Sequence, residues 1–308
     1  MRSLALTADE TPADGIRRVA LAALDDAVTR LERSDATEKD LHEARKRIKE
    51  MRAIARLAAD GKPLRMSLRD AARLLASSRD ADAMIESFDK LRERFAKEWG
   101  TRRFAKIRRA LVNRKGAASG DRLSAASSLR FLRSSVAALD FGGANFDRLG
   151  DGLIKTYRIA RSDLRRAAAS RSPERFHEWR KRVKDHWYQT QLIEDASPAI
   201  LAGHAEALHD LSRLLGDHHD LAVLRESVNG CASARLLRAF DAYIAMRMFE
   251  LEDDTEKLGR RVLAEKPRAW LRRIRAYWDV WRSGDPRRRK DPKRSDARRS
   301  PAAVTSGA

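Results

Sequence analysis

The sequence predicts an all-α protein, and three observations carry that prediction. Apolar residues recur at spacings of three and four along nearly every segment, and prolines and glycines fall mostly between those segments. No stretch alternates apolar and polar residues as a half-buried strand does, and no hairpin dipeptide joins two strand-like runs. The charged fraction of 36% fits long solvated helices, beside an ordinary hydrophobic fraction of 43%. A chain of 308 residues can bury one large core or two moderate ones.

Residues 1–14 read as a disordered leader, since the apolar patch Leu4 to Leu6 is followed by acids and is too short for a secretory signal. Gly15 to Arg33 places Ile16, Val19, Ala20, Ala23, Leu24, Ala27 and Leu31 on one helix face. Thr37, with Asp40 three residues on, is close to a capping box and opens a helix expected to reach about Ala59, before Gly61 and Pro63. Helical patterning continues over Leu64 to Ser78, Asp80 to Asn113 and Leu123 to Leu139, with a Gly/Ser break from Lys115 to Asp121. Gly142-Gly143 marks a midpoint that separates a unit at 15–141 from a unit at 142–282.

The second unit restates the first. Gly152 to Ala169 is amphipathic, and Ser172-Pro173-Glu174 then supplies an N-cap, a proline in the first turn and an acid beside it. Ser197-Pro198 repeats the device for a helix expected to stop at Gly216. Cys231 to about Ala264 and Pro267 to Trp281 supply the last long helices. Residues 283–308, rich in Pro, Ser and Arg, read as a basic disordered tail.

Charge narrows the function. Lys and Arg number 65 against 45 for Asp and Glu, a net charge of +20 that favours polyanionic partners or anionic surfaces. Residues 285–299 account for +5 of it, leaving +15 elsewhere. The lone Cys231 excludes an internal disulfide, and it fits a reducing compartment such as the cytoplasm. No apolar run is long enough to insert into a membrane.

One pattern occurs twice. From His42 and again from His177, Arg stands at +3, Lys at +4, Arg at +5 and Lys at +7, with acids at +1 and +8 and a β-branched residue at +6. At about 100° per residue, offsets 0, +3, +4 and +7 share one helix face. His42, Arg45, Lys46 and Lys49 therefore form one cationic stripe, which Arg52 and Arg56 extend. His177, Arg180, Lys181 and Lys184 form the other, continued by Tyr188 and Gln191. Leu41, Ala44, Ile48, Met51 and Ala55 fall on the opposite face of the first helix; Phe176, Trp179, Val183 and Thr190 do so on the second. A solvated helix face normally interleaves acids at i,i+4 to relieve repulsion. Here the acids are expected to lie at the flank of the stripe.

A further segment also recurs. Leu68 to Asp80 aligns with Leu208 to Asp220, matching Arg73 to Arg213 and Arg79 to His219. The histidine motifs are 135 positions apart and these segments 140, which reads as tandem duplication of a helical unit of about 130 residues. Two such units are expected to pack about a pseudo-two-fold axis, with both cationic faces toward one central space.

These paired segments, in this order and spacing, resemble the CHAD family, the conserved histidine α-helical domain, over roughly residues 15–282. The resemblance implies two pseudo-symmetric helical bundles with a basic cavity between them. It further implies non-catalytic binding of inorganic polyphosphate and association with polyphosphate granules. Carried over by position, the implied ligand set is His42, Arg45, Lys46, Lys49 and Arg52 with His177, Arg180, Lys181 and Lys184. Arg73, Arg79, Arg213 and His219 join from the second segment. Trp187 stands where the first copy has Arg52, so the first half is expected to grip more tightly. Nothing resembles the triphosphatase domain that accompanies some relatives, since Glu250-Leu-Glu252 lacks a lysine two residues on.

The residues leave two alternatives. Nucleic acid is the runner-up partner, mainly through the tail from Arg287 to Arg299, although aromatics to stack on bases are only 6%. An HD-type metal phosphohydrolase is the second, because His204, His209, His218 and His219 lie close in sequence and His219-Asp220 is the family dipeptide. Against it, Arg79 aligns with His219 and cannot ligate a metal. No P-loop motif occurs, and Cys231 has no histidine near it in sequence. No cofactor is expected.

Overall fold

In the computed structural model the described residues are 5–75, 77–99, 103–114, 121–143 and 145–284, with the side chains of 77–81 and Arg114 outside the description. Among them the chain is all-α. Helices α1 (Pro12–Glu32), α2 (Glu38–Ile54) and α3 (Lys62–Arg73) are followed by α4 (Ser77–Arg94), α5 (Ala96–Trp99) and α6 (Ala105–Arg114). Then come α7 (Arg122–Phe131), α8 (Arg133–Ala137), α9 (Asp147–Ser170) and α10 (Pro173–Leu192). A 3₁₀ turn at Glu194–Ala196 leads to α11 (Pro198–Ser227), α12 (Ala234–Val262) and α13 (Pro267–Ser283).

Local chemistry sets several starts as the sequence predicts. Thr37 accepts from the Asp40 N–H, and Asp40 accepts from the Thr37 N–H, so α2 opens on a full capping box. Ser172 accepts from the Arg175 N–H with Pro173 in the first turn of α10. Pro198 likewise opens α11, but Ser197 makes no side-chain cap.

Two apolar cores result. The larger one joins α1–α3, α7–α10, α13 and the first half of α11, with Ile48, Trp179, Tyr157 and Trp270 among its fully buried side chains. The smaller joins α4–α6, α12 and the second half of α11 around Phe88, Trp99, Phe104 and Phe240. Each core draws helices from both halves of the chain, and α11 is the wall they share. The stripe-opposed residues Ala44, Ile48, Met51, Phe176, Trp179 and Val183 are buried as expected.

Two expectations fail. Residues 5–14 are not a disordered leader: Ala5 and Leu6 are buried, and the Leu6 N–H donates to the Leu192 carbonyl at 2.9 Å. Arg18 donates to the Ala5 carbonyl at 2.9 Å, and Thr11 caps α1. The apolar patch finds cover and its backbone finds partners. Nor does the chain break at Gly216, where α11 continues to Ser227. A mid-helix glycine costs about 1 kcal/mol, and burial of Leu215, Leu221 and Leu224 on either side outweighs that. The expected tail at 283–308 lies, beyond Gly284, outside the described residues.

Candidate functional site

The motif helices α2 and α10 pack against each other, and the buried Gln189 amide ties them by donating to the Ala53 carbonyl at 2.8 Å. Alongside them opens a cleft of about 550 Å³, walled by α2, α4, α10 and α11. His42, Lys46 and Lys49 enter from α2, and Arg180, Lys184, Trp187 and Tyr188 from α10. From α11 come His209, Ser212, Arg213, Gly216 and His219. Five lysines and arginines meet three carboxylates there, Glu43, Asp217 and Asp220. Asp217 is engaged by Lys90 at 3.2 Å, which tips the remaining field further positive.

The cleft gathers seven of the thirteen sequence-predicted residues: His42, Lys46, Lys49, Arg180, Lys184, Arg213 and His219. His177 stands one layer back, its ring against that of His219 with centroids 4.1 Å apart. Arg45 is half-buried and Lys181 is turned to Glu178, both away from the cleft lining. Arg73 is exposed and pairs with Asp70 at 3.0 Å. Arg52 is half-buried in a separate arginine cluster described below. The Arg79 side chain lies outside the described residues.

Helix geometry explains the selection. Relative to its histidine, +4 lies about 40° to one side of the stripe and +3 about 60° to the other. The cleft sees 0, +1, +4 and +7 of α2 but +3, +7, +10 and +11 of α10. The two helices thus offer opposite flanks of the same stripe. Trp187 and Arg52, at the same offset in the two motifs, stand in different places. Trp187 lines the cleft at +10 of α10, packed on Tyr188 and His209, whereas Arg52 at +10 of α2 faces elsewhere.

The acids do not stay off the stripe. Glu43 at +1 lies 3.7 Å from Lys46 at +4, and Glu178 pairs with Lys181 at the same offsets. The acids at +8 pair with the arginines at +5: Arg47 with Glu50 at 2.8 Å, and Arg182 with Asp185 at 2.9 Å. Those pairs are largely buried and belong to the scaffold rather than the cleft.

Apart from His42, the histidines separate into four settings. His204 Nε2 is 3.2 Å from His186 Nε2, His209 packs on Trp187, and His219 on His177. His218 Nε2 lies 3.3 Å from Glu252 Oε1, which gives that carboxylate a structural partner; Glu250 pairs with Arg94 and Arg247. Among the described residues no three His, Cys, Asp or Glu side chains converge as metal ligands do. Burial holds the His219 imidazole down at about 4, helped by the charges of His177, Arg180, His218 and Lys181. His177 is lowered too, first by burial and then by Lys181 and Arg180. Absent from the sequence-predicted anion ligands are Ser212 and His209, and the available signal was their i,i+4 spacing along α11, His209 to Arg213 and Ser212 to Gly216.

Comparison with known proteins agrees with this architecture. The CHAD domain family matches residues 18–229, and the chain belongs to that family. Among solved structures it is similar to the crystal structure of the CHAD domain from the plant Ricinus communis, at a TM-score of 0.58 and 18% identity. That likeness covers 86% of this chain and 96% of the plant one, and at this identity it speaks for the fold alone. The search of curated proteins returned no match.

Proposed function

We propose that the chain binds inorganic polyphosphate in the cleft between α2, α4, α10 and α11, without catalysis, and through it associates with polyphosphate granules. The observation that carries this reading is the meeting of Lys46 and Lys49 from α2, Arg180 and Lys184 from α10 and Arg213 from α11 on one space. Membership of the CHAD family supports it. A polyphosphate chain carries about one charge per repeat, so neutralising several repeats releases counterions, as it does for other linear polyanions. Arginine adds bidentate hydrogen bonds to phosphate oxygens, and lysine adds a compact charge. No described helix is long and apolar enough to cross a membrane.

A nucleic-acid strand is the competing ligand, because Trp187 and Tyr188 bring aromatic faces to the same cleft. A titration separates the two, using long-chain polyphosphate, tripolyphosphate, an oligodeoxynucleotide and duplex DNA at two salt concentrations. Polyphosphate is expected to bind tightest at equal salt. Tighter binding of either nucleic acid overturns the assignment, and release of orthophosphate on adding divalent metal overturns the non-catalytic part.

A further inference from the structure

Beyond the cleft, a second group of cations surrounds one buried carboxylate. Asp185 of α10 lies 2.9 Å from Arg182 and 2.7 Å from Arg56, which sits just past the end of α2. Arg52 of α2 and Arg65 of α3 are half-buried and close enough to feel the same carboxylate and one another. None of these residues lines the cleft. Arg182 and Asp185, at +5 and +8, lie about 100° or more round α10 from Arg180 and Lys184.

Holding Asp185 in a fold needs one or two of these cations. Four guanidinium groups against one carboxylate leave an excess of three positive charges in a partly desolvated place. Nearby acids do not cancel it. Asp163, which Arg182 also reaches, pairs with Arg166 at 3.2 Å, and Asp70 is taken by Arg69 and Arg73. Burial and mutual repulsion push the Arg56 guanidinium down to about 10. The Nε of Arg65 is buried with no hydrogen-bond partner among the described residues, and Arg56 Nε and Asp185 Oδ2 lie 2.7 Å apart but misaligned, so neither is fully satisfied. Buried donors in native proteins are nearly always satisfied by protein, water or a bound ion.

We propose that Arg52, Arg56, Arg65 and Arg182 form a second anion site that takes a single phosphate group, with Asp185 as its built-in competitor. Orthophosphate, a mixture of monoanion and dianion near neutral pH, carries about −1.5 charges there, which offsets about half of the excess. Its tetrahedral oxygens accept from several guanidinium forks at once. Free orthophosphate and the terminal phosphate of a chain share this chemistry. The cluster lies outside the cleft, and its charge excess is the same whether or not the cleft binds a polymer.

Calorimetric titration with orthophosphate at low ionic strength tests it, on wild type, on Arg56→Gln with Arg65→Gln, and on Lys46→Gln with Lys184→Gln. Wild type is expected to bind one orthophosphate saturably. The cluster variant should weaken binding about tenfold or more, the worth of a charge-assisted hydrogen bond, and the cleft variant less than threefold. Asp185→Asn, which removes the competing charge, should tighten binding several-fold. Tripolyphosphate names the source: a matching loss in the cluster variant assigns the chain end, and unchanged affinity assigns free phosphate. No saturable orthophosphate binding by wild type, or equal losses in the cluster and cleft variants, overturns the proposal. If Asp185→Asn does not fold, the arginine pair alone decides.

Discussion

In α2 the guanidinium of Arg47 sits between two carboxylates, Asp26 at 2.7 Å and Glu50 at 2.8 Å; in α10 the carboxylate of Asp185 sits between two guanidiniums, Arg56 at 2.7 Å and Arg182 at 2.9 Å. Both triads start from the same +5 and +8 positions. The local pair follows from i,i+3 spacing on a helix. The third member comes from another element, α1 in the first case and the turn after α2 in the second, and it sets the sign of the surroundings. The surroundings of Arg47 end balanced, because Asp26 is shared with Arg30 at 3.0 Å, and those of Asp185 end with surplus arginines. The flanks differ in the same way: the cleft takes Lys46 at +4 from α2 and Arg180 at +3 from α10.

The largest expected effect breaks this comparison at the cleft. Arg180→Gln with Lys184→Gln should weaken long-chain polyphosphate binding about a hundredfold at low salt, at about 1.5–3 kcal/mol per charge-assisted contact. Arg73→Gln with Lys181→Gln removes the same formal charge from positions of the same motifs outside the cleft and should cost less than threefold. Equal losses, read by the same titration, would mean that net charge and not the cleft does the binding.

Stability compares the triads next. Asp185→Ala strands two arginines in a largely buried place and should destabilise by about 3 kcal/mol, as expected when one partner of a buried pair is removed. Glu50→Ala leaves Arg47 with Asp26 and should cost about 1 kcal/mol. Urea unfolding measures both, and a Glu50 loss as large as that of Asp185 would refute the distinction.

A smaller effect concerns pH. In the free protein His177 and His219 are neutral near pH 7 because burial lowers both. A bound polyanion favours the imidazolium forms and raises them. The complex then holds more protons than the free protein, so affinity rises as pH falls below about 6.5 toward the free His219 value near 4. We expect a gain of about tenfold between pH 7.5 and 5.5, and His177→Gln with His219→Gln should remove most of it. An unchanged slope in that variant assigns the two histidines a packing role only.

The smallest effect belongs to the tail. Deleting residues 285–308 removes net charge +5, which should slow association a few-fold through lost long-range attraction and leave dissociation unchanged. Stopped-flow binding checks it; a large rise in dissociation rate would place part of the site in the tail.

How much of this was legible in the sequence differs by level. Periodicity located the long described helices, although it ended α11 at Gly216, and Thr37 and Ser172 named their own caps, because those bonds close within three residues. The motif spacing correctly separated cationic stripe from core face on α2 and α10, since a helix fixes side-chain directions locally. The split of that stripe was not legible. Which flank of α2 or α10 opens on the cleft depends on how these two helices cross, with their motifs 135 positions apart, and on where His209 to Asp220 of α11 lie. The order of residues 5–14 was hidden for the same reason, as the cover over Leu6 and its hydrogen-bond partner at Leu192 come from remote segments.

By itself, then, the sequence determined the all-α class, the caps, the two cationic helices and the local ion pairs at +5 and +8, all of which depend on contacts within one helical turn or two. Only the tertiary structure decided that Lys46 and Arg180 face one cleft while Arg73 and Lys181 stand outside it. It likewise decided that Arg52, Arg56, Arg65 and Arg182 crowd one aspartate. Charge is a property of residues, but excess charge at a point is a property of packing, because it depends on which distant side chains are brought within Coulombic reach.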